Sequence, residues 1–302
     1  MGDERRSSRC VGTAMAEAEI RRRVSEMLHC RMSGRIDQML RHFAPRAIVH
    51  YTKSREGMFR PAIWEGVEAL GSITRFTDEN YTPLDHEILD LLVDGPKAVV
   101  RWRGSWRRVA TGKIYMVDAA HFLRWEDDLV VEMHEFFERM SHPSPSCQRL
   151  SSFEELVSCK TAGLDREELE RRARKIVTFP ARGPDIEVIR EFCSPEIVCE
   201  FVGDRARLPY AGRHVGIDAL INIIRMIAVD FEQSNCEISE ILIEDGRLAG
   251  RRRVEWRHRG TGRSGVVDLA DFVRFQDGLI VELIEFRDSL TLLEMQGERD
   301  AV

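Results

Sequence analysis

Apolar positions along the chain follow two spacings, and each spacing predicts a different element. In some segments apolar residues recur every three or four positions, as on the buried face of a helix. These segments predict three helices in each half of the chain, at residues 18–32, 35–43 and 66–76 and at residues 165–179, 185–193 and 216–226. Elsewhere, β-branched and aromatic residues form short runs between turn residues. These runs predict strands at residues 47–51, 86–93, 98–106, 116–125 and 128–137 and at residues 197–201, 236–243, 250–256, 266–275 and 278–286.

The two halves carry the same elements in the same order because the chain repeats itself. Residues 36–136 align with residues 186–286 without a gap, and about 28 of these 101 positions are identical. Trp106 and Trp256 form one identical pair. The repeat is longer than the roughly 20–50 residues of a solenoid unit, so each copy is expected to be a complete domain.

Helices followed by an antiparallel meander predict an α+β fold, in which a curved sheet wraps around the helices of each of two tandem domains. The predicted bounds are 16–142 for domain 1 and 163–292 for domain 2. Residues 143–162 contain proline and polar residues and predict a linker with a short helix. Residues 1–15 and 293–302 predict disordered tails.

The composition limits which kinds of partner and which cellular location are expected for the protein. The length of 302 residues suits two domains, and the net charge of −6 offers no basic surplus for nucleic acid. No apolar run is long enough to span a membrane, and the N-terminus lacks an apolar signal segment. The seven cysteines form no CxxC pair, and neither an HExxH motif nor a Gly-rich phosphate loop occurs. The sequence therefore predicts a cytoplasmic protein without membrane contact, metal or cofactor.

The order of elements, with "LPYAGRHVG" at 208–216 and "DFVRFQDGLIVE" at 271–282, resembles the nuclear transport factor 2-like superfamily. Within it, the chain is most similar to the SnoaL-like proteins, relatives of polyketide cyclases and ketosteroid isomerases. The resemblance implies cone-shaped domains that each enclose an apolar pocket and pair through their sheets. The two copies are therefore expected to form an intramolecular pseudo-dimer, which leaves a further homodimer open.

An acidic residue stands on an apolar strand face in the second copy. Asp271 shares its face with Leu269 and Val273, an arrangement that favours a protonated carboxyl group able to donate a hydrogen bond. The resemblance to ketosteroid isomerases implies such a donor in an oxyanion hole, although Phe201 stands where those enzymes have their base. The alternative is an acid paired with an arginine. The first copy has His121 at this position, either a candidate base or a satisfied core residue.

A second candidate group lies one strand earlier. Arg253 and Glu255 are two residues apart and therefore share a strand face. Epoxide hydrolases of this fold use a similar Arg-x-Asp with a second acid, for which Asp288 is the candidate here. Two carboxylates with an arginine can activate water and protonate an epoxide. The alternative is a ladder of solvated charges across neighbouring strands.

The loop at 207–216 is expected to border the mouth of the second pocket, so that Tyr210 and His214 contact a ligand. The first copy has Trp64 in place of His214. The second pocket is therefore predicted to be the more polar, working one. Two functions stay open: an enzyme that isomerises, cyclises or hydrates a small hydrophobic molecule through Asp271, helped by Arg253 and Glu255, or a non-catalytic ligand-binding scaffold.

Overall fold

The protein is described by a computed structural model that covers residues 15–52, 62–140, 164–177 and 185–297. Within domain 1 the elements are α1 (Glu17–Met32), α2 (Ile36–Leu40), β1 (Phe43–Tyr51), β2 (Ala62–Glu65), α3 (Val67–Asn80), β3 (Tyr81–Asp94), β4 (Lys97–Arg108), β5 (Ile114–Glu126) and β6 (Leu129–Met140). Domain 2 repeats this order with α4 (Arg166–Val177), α5 (Ile186–Phe192), β7 (Cys193–Phe201), β8 (Gly212–Val215), α6 (Ile217–Asp230), β9 (Phe231–Glu244), β10 (Arg247–His258), β11 (Ser264–Gln276) and β12 (Leu279–Arg287), and it adds α7 (Ser289–Gln296).

Each domain contains one six-stranded sheet. The strand order is β2-β1-β6-β5-β4-β3 in domain 1 and β8-β7-β12-β11-β10-β9 in domain 2. Strands β1 and β6 run parallel, as do β7 and β12, whereas the remaining neighbours are antiparallel. The predicted α+β fold of two tandem domains is therefore confirmed, and the parallel pair makes each sheet mixed.

The concave face of each sheet is covered by helices. In domain 1, Ile20, Val24 and Leu28 recur every four residues along α1 and are each at most 1% exposed. They join a core with inward residues of the sheet such as Val93 and Val117. Burying this apolar stripe stabilises the helix, because isolated helices of such length are marginal in water.

The convex faces of the two sheets pack against each other. Their contact is an apolar cluster of Leu92, Val99, Ala120, Phe122, Phe136, Val202, Leu242, Ala249, Ala270, Phe272, Ile284 and Phe286. At its centre the rings of Phe122 and Phe272 lie 6.2 Å apart. Ion pairs at the edge, such as Arg247 Nη1 with Asp90 Oδ1 at 2.6 Å, join the domains further. Each sheet therefore has one face toward its own helices and one toward the other domain.

The structure corrects the prediction for the C-terminal segment. Residues 293–296 belong to α7, and Leu292, Leu293 and Met295 are buried against domain 2. The predicted tail is therefore wrong over these residues. Residues 212–215, predicted as loop, form the edge strand β8. The predicted linker helix and most of the N-terminal tail lie outside the described residues.

None of the helices in the described part of the chain is long and apolar enough to cross a membrane.

Candidate functional site

Domain 1 encloses a cavity of about 90 Å³ between its sheet and its helices. Its wall is mainly aromatic and aliphatic, with a few polar side chains. The lining residues are Met27, Leu28, Arg31, Met39, Phe43, Tyr51, Leu70, Thr74, Thr77, Tyr81, Trp102, Trp106, Tyr115, Val117, His121, Met133, Glu135 and Phe137. An enclosed apolar pocket with few polar groups is the usual form of a small-molecule site.

The cavity needs a glycine between its two tryptophans. Trp102, Gly104 and Trp106 are alternate residues of β4 and point to the same side of the sheet. A Cβ atom on Gly104 would lie 2.9 Å from the rings of both tryptophans. Domain 2 has Val254 at this position, and it is fully buried. The missing side chain of Gly104 therefore gives the two indoles the room they occupy.

His121 stands in the wall of the cavity and is 5% exposed. Its Nε2 lies 3.0 Å from Glu135 Oε2, on the neighbouring strand β6, and 3.3 Å from Trp102 Nε1. Its Nδ1 is buried and has no hydrogen-bond partner among the described residues. One ring nitrogen is thus held by a carboxylate, while the other is unused within the protein.

The Glu135 carboxylate indicates which ring nitrogen of His121 carries the proton. A carboxylate accepts hydrogen bonds, so the 3.0 Å contact with Glu135 favours a proton on Nε2, ahead of the longer 3.3 Å contact in which the Trp102 indole N–H would need an acceptor there. In the neutral imidazole, Nδ1 then bears the lone pair. A carboxylate that fixes an imidazole tautomer in this way leaves the opposite nitrogen ready to take a proton. The pair can therefore act as a general base.

Two further polar residues border the cavity near Glu135. Burial and the Glu135 carboxylate raise the pKa of the Tyr51 hydroxyl well above its usual value, so this hydroxyl is protonated at neutral pH. Arg31 Nη1 lies 2.5 Å from Asp78 Oδ1, an ion pair that joins α1 to α3. The cavity therefore combines a base, a phenol and a neutralised charge within an apolar wall.

Domain 2 has an ion-pair network at the equivalent place. Asp271 is 2% exposed, and its carboxylate contacts Arg252 through Nε at 2.6 Å and Nη2 at 3.2 Å. Arg252 Nη2 also donates to Glu285 Oε2 at 2.6 Å, and Arg287 pairs with Glu285. Two carboxylates and two guanidinium groups thus neutralise each other inside the domain.

Comparison of the two copies shows which residues differ between the interior of domain 1 and that of domain 2. Arg252 replaces Trp102 and Arg287 replaces Phe137, at the same positions in the sheets. The structure matches the alternative of an acid paired with an arginine, because Arg252 binds Asp271 and Arg287 pairs with the neighbouring Glu285. Ion pairs thus surround Asp271, where the working pocket was predicted, and an enclosed cavity lies instead at the equivalent place in domain 1, beside His121.

Arg253 and Glu255, which were predicted to assist Asp271, do not contact it. Arg253 and Glu255 share a face, as expected, but they are exposed on the opposite side of β10 from Arg252. Arg253 pairs with Asp268 at 3.3 Å, and Glu255 contacts Ser234. This arrangement matches the alternative of solvated cross-strand charges.

Asp288 is the N-cap of α7. Its carboxylate accepts hydrogen bonds from the backbone N–H and the hydroxyl of Thr291, at 2.9 and 2.7 Å. An N-cap satisfies backbone donors of the first helical turn and so explains the acid structurally. Asp288 therefore does not join Arg253 and Glu255 in an epoxide-hydrolase arrangement.

Tyr210 and His214 lie close together but away from the cavity of domain 1. Tyr210 is buried in the core of domain 2, and the guanidinium of Arg287 lies 4.7 Å from its ring centre. His214 Nε2 lies 2.9 Å from the backbone oxygen of Tyr210. Arg287 thus occupies the space next to Tyr210 that a ligand would need.

Among the described residues, one group brings metal-ligand atoms together, namely His50, Glu132 and His134. The two imidazole rings are stacked 4.0 Å apart and nearly parallel, at 3°. A metal ion must lie near the plane of each ring that binds it, which two parallel stacked rings do not permit. Arg251 Nη1 also lies 2.9 Å from His134 Nδ1, and burial with this arginine lowers the pKa of His134 to about 4. The group therefore fits neutral, hydrogen-bonded imidazoles at the domain contact better than a metal site.

Comparison with known proteins identifies the repeated unit. Residues 24–133 and 179–283 each match the SnoaL-like domain. A candidate isomerase from Rhodopseudomonas palustris is 22% identical over 45% of this chain and 100% of its own, with a TM-score of 0.40. A candidate SnoaL-like polyketide cyclase from Jannaschia sp. CCS1 is 17% identical over 44% and 96%, with a TM-score of 0.37. TsrD from Streptomyces laurentii is 22% identical over 44% and 98%, with a TM-score of 0.37.

No curated protein matches the chain. The family match covers more than half of the chain and includes most of both repeats. The resemblance drawn from the order of elements is thereby confirmed, and the protein belongs to the SnoaL-like domain family as a tandem of two such domains.

Proposed function

We propose that domain 1 is the working unit of a cofactor-independent isomerase or cyclase. Its cavity binds a small, mainly apolar molecule in which a carbonyl group acidifies a neighbouring C–H bond. His121 is the general base in this proposal, and Glu135 is the positioning residue that holds its tautomer. Domain 2 is a structural partner whose sheet buries the convex face of the first.

One observation carries the proposal. His121 Nδ1 is buried and unpartnered within the described part of the chain, while Glu135 holds Nε2 at 3.0 Å in the wall of the cavity. A core histidine with a purely structural role would normally satisfy both nitrogens, because an unmade hydrogen bond in the interior costs stability. The unpartnered Nδ1 of His121 is consistent with a hydrogen bond to a bound ligand.

The reaction is a proton shift. Nδ1 removes a proton from the carbon beside the carbonyl group, and the electron pair of that C–H bond forms a new C=C bond while the carbonyl oxygen gains negative charge. Returning the proton from Nδ1 to another carbon of the conjugated system moves the double bond and regenerates neutral His121. Atoms and electrons balance without an oxidant, a reductant or a cofactor. Aromatic walls suit a flat ring as the substrate.

The test uses cyclohex-2-enone, a probe molecule that consists of a single six-membered ring with one carbonyl group. Its ring protons exchange with solvent deuterium when a base removes them, and NMR in D₂O measures the rate. We expect the protein to accelerate exchange above the buffer rate and His121→Gln to reduce the acceleration at least about 100-fold, as for loss of a general base. The control is His214→Gln in domain 2, which should retain the rate.

Two results would contradict the proposal. Binding of the enone without any exchange would assign the cavity to a non-catalytic binding protein. Equal losses in both histidine variants would show that His121 has no special part in the reaction.

A further inference from the structure

The indole N–H of Trp106 is the second unused polar group in the wall of the cavity. Trp106 is 6% exposed, and its Nε1 has no hydrogen-bond partner among the described residues. Trp102 is a different case, because its Nε1 lies beside the polar pair of His121 and Glu135, 3.3 Å from His121 Nε2. A buried donor without an acceptor is uncommon in folded proteins and requires an explanation.

The second copy shows how this fold satisfies the same donor. Trp256 is the counterpart of Trp106, and its Nε1 donates to Gln233 Oε1 at 3.0 Å. Gln233 lies opposite Trp256 on the adjacent strand. In domain 1, Pro83 lies opposite Trp106 in the same place. Proline has no side-chain acceptor, so the partner present in domain 2 is missing beside the cavity of domain 1.

We propose that Trp106 Nε1–H donates a hydrogen bond to the carbonyl oxygen of the ligand and thereby sets the substrate class. The ligand is a small apolar ring compound with one oxygen acceptor, and a hydrocarbon of the same shape is a poor substitute. This inference rests on the proposed function, since it concerns the same cavity.

The donor also fits the chemistry. When His121 takes a proton from the ligand, negative charge develops on the carbonyl oxygen. A fixed N–H in a dry, apolar cavity stabilises such charge better than it does the neutral carbonyl group. Trp106 is therefore expected to affect both the affinity for oxygen-bearing rings and the rate of proton exchange.

The experiment compares cyclohex-2-enone with cyclohexene in the full-length protein. Titrations followed by ¹H–¹⁵N NMR report the indole N–H of Trp106, and calorimetry reports affinity. The enone should move this resonance and cyclohexene should not. Trp106→Phe should weaken enone binding about 3- to 10-fold, as for loss of one hydrogen bond, and change cyclohexene binding less than about twofold.

A second variant keeps the tryptophan. Pro83→Gln recreates the acceptor found in domain 2 and should weaken enone binding in the same way, since the introduced amide oxygen would compete for the N–H. Trp256→Phe is the matched control and should leave both affinities unchanged.

The possible failures are distinguishable. Equal weakening of both ligands by Trp106→Phe, or no shift of the indole resonance in the enone complex, would overturn the role of Trp106 and leave the His121 proposal in place. Failure of both ligands to bind the wild-type protein would overturn both proposals.

Discussion

Arg252 holds both carboxylate oxygens of Asp271, with Nε to Oδ2 at 2.6 Å and Nη2 to Oδ1 at 3.2 Å. Their counterparts in domain 1 are Trp102 and His121, which line the cavity instead. The same pair of positions therefore contains an ion pair in one domain and part of a cavity wall in the other. This difference supports the proposal of a ligand-binding role for domain 1 and a structural role for domain 2.

Asp271→Asn should destabilise the protein without removing its activity. The substitution leaves Arg252 buried with one of its two carboxylate partners neutral, and breaking a buried ion pair costs about 3–5 kcal/mol. Thermal and urea unfolding should detect the loss, while enone exchange by the folded variant should stay near the wild-type rate.

The matched control is Asp218→Asn, in which an exposed pair with Arg190 is broken. The two side chains are 80% and 49% exposed, so the cost should be below about 1 kcal/mol. Loss of exchange activity in folded Asp271→Asn would return the catalytic role to domain 2.

Glu135→Gln should slow the reaction and spare binding. The amide can donate its N–H to His121 Nε2, which would place the imidazole proton on Nδ1 and remove the base. We expect the exchange rate of the enone to fall on the order of 100-fold or more, as when an orienting carboxylate becomes an amide. The affinity for cyclohexene should change little. An exchange rate within a few fold of wild type would show that Glu135 does not position His121.

Gly104→Ala should close the cavity. The new Cβ would lie 2.9 Å from ring atoms of both Trp102 and Trp106, so the indoles must move. Overpacking of this kind costs about 1–3 kcal/mol, and enone binding should be lost. Gly250→Ala also adds a methyl group, at a different position on the equivalent strand β10 of domain 2, where the nearest atom is 3.3 Å away, and it should retain binding. Full affinity in the Gly104 variant would mean that the ligand binds elsewhere.

Glu138 predicts a pH dependence of stability at the domain contact. Its Oε1 accepts a hydrogen bond from the Ser289 hydroxyl of domain 2 at 2.5 Å, and burial raises the pKa of Glu138 to about 8. In the unfolded chain this carboxyl ionises near its ordinary pKa, so between that value and about 8 the folded state binds more protons. Stability from this group is therefore complete in acid and is lost as the pH rises through this range.

Glu138→Gln removes that dependence while retaining an oxygen acceptor for Ser289. The free energy of unfolding of the variant, relative to wild type, should increase by more than about 1 kcal/mol between pH 5 and pH 8. Urea unfolding at both pH values measures it. A difference that stays constant with pH would contradict a protonated Glu138.

The fold could be predicted from the sequence because the hydrophobic periodicity and the 150-residue repeat can be seen directly in the order of residues. The alternation along β11 correctly placed Asp271 on one face with Leu269 and Val273, and this face does point inward. His121 also stood out from the sequence, as the counterpart of Asp271. The alignment places Arg252 of domain 2 at the position of Trp102 in domain 1. An arginine in place of an aromatic residue could have indicated an ion pair with Asp271.

The short helix α7 was missed because its pattern gives no amphipathic signal. Leu290, Leu292 and Leu293 are buried on more than one side, so no polar face marks it as a surface helix. Its N-cap, Asp288, was instead interpreted as a catalytic acid. A cap and a catalytic carboxylate are the same residue type in sequence, and only the hydrogen bonds to Thr291 distinguish them.

The sequence by itself determined two α+β domains, the order of their elements and the strand face that bears Asp271 in one copy and His121 in the other, since local periodicity and a 150-residue repeat depend only on the order of residues. The tertiary structure decided that Asp271 lies in an ion pair while His121 lines a cavity. Arg252 and Arg287 belong to the strands on either side of Asp271, and the register between strands determines whether their guanidinium groups reach Asp271 and Glu285. Such contacts form between residues distant in the chain, so no local pattern reveals whether an acid stands beside a cavity or within an ion pair.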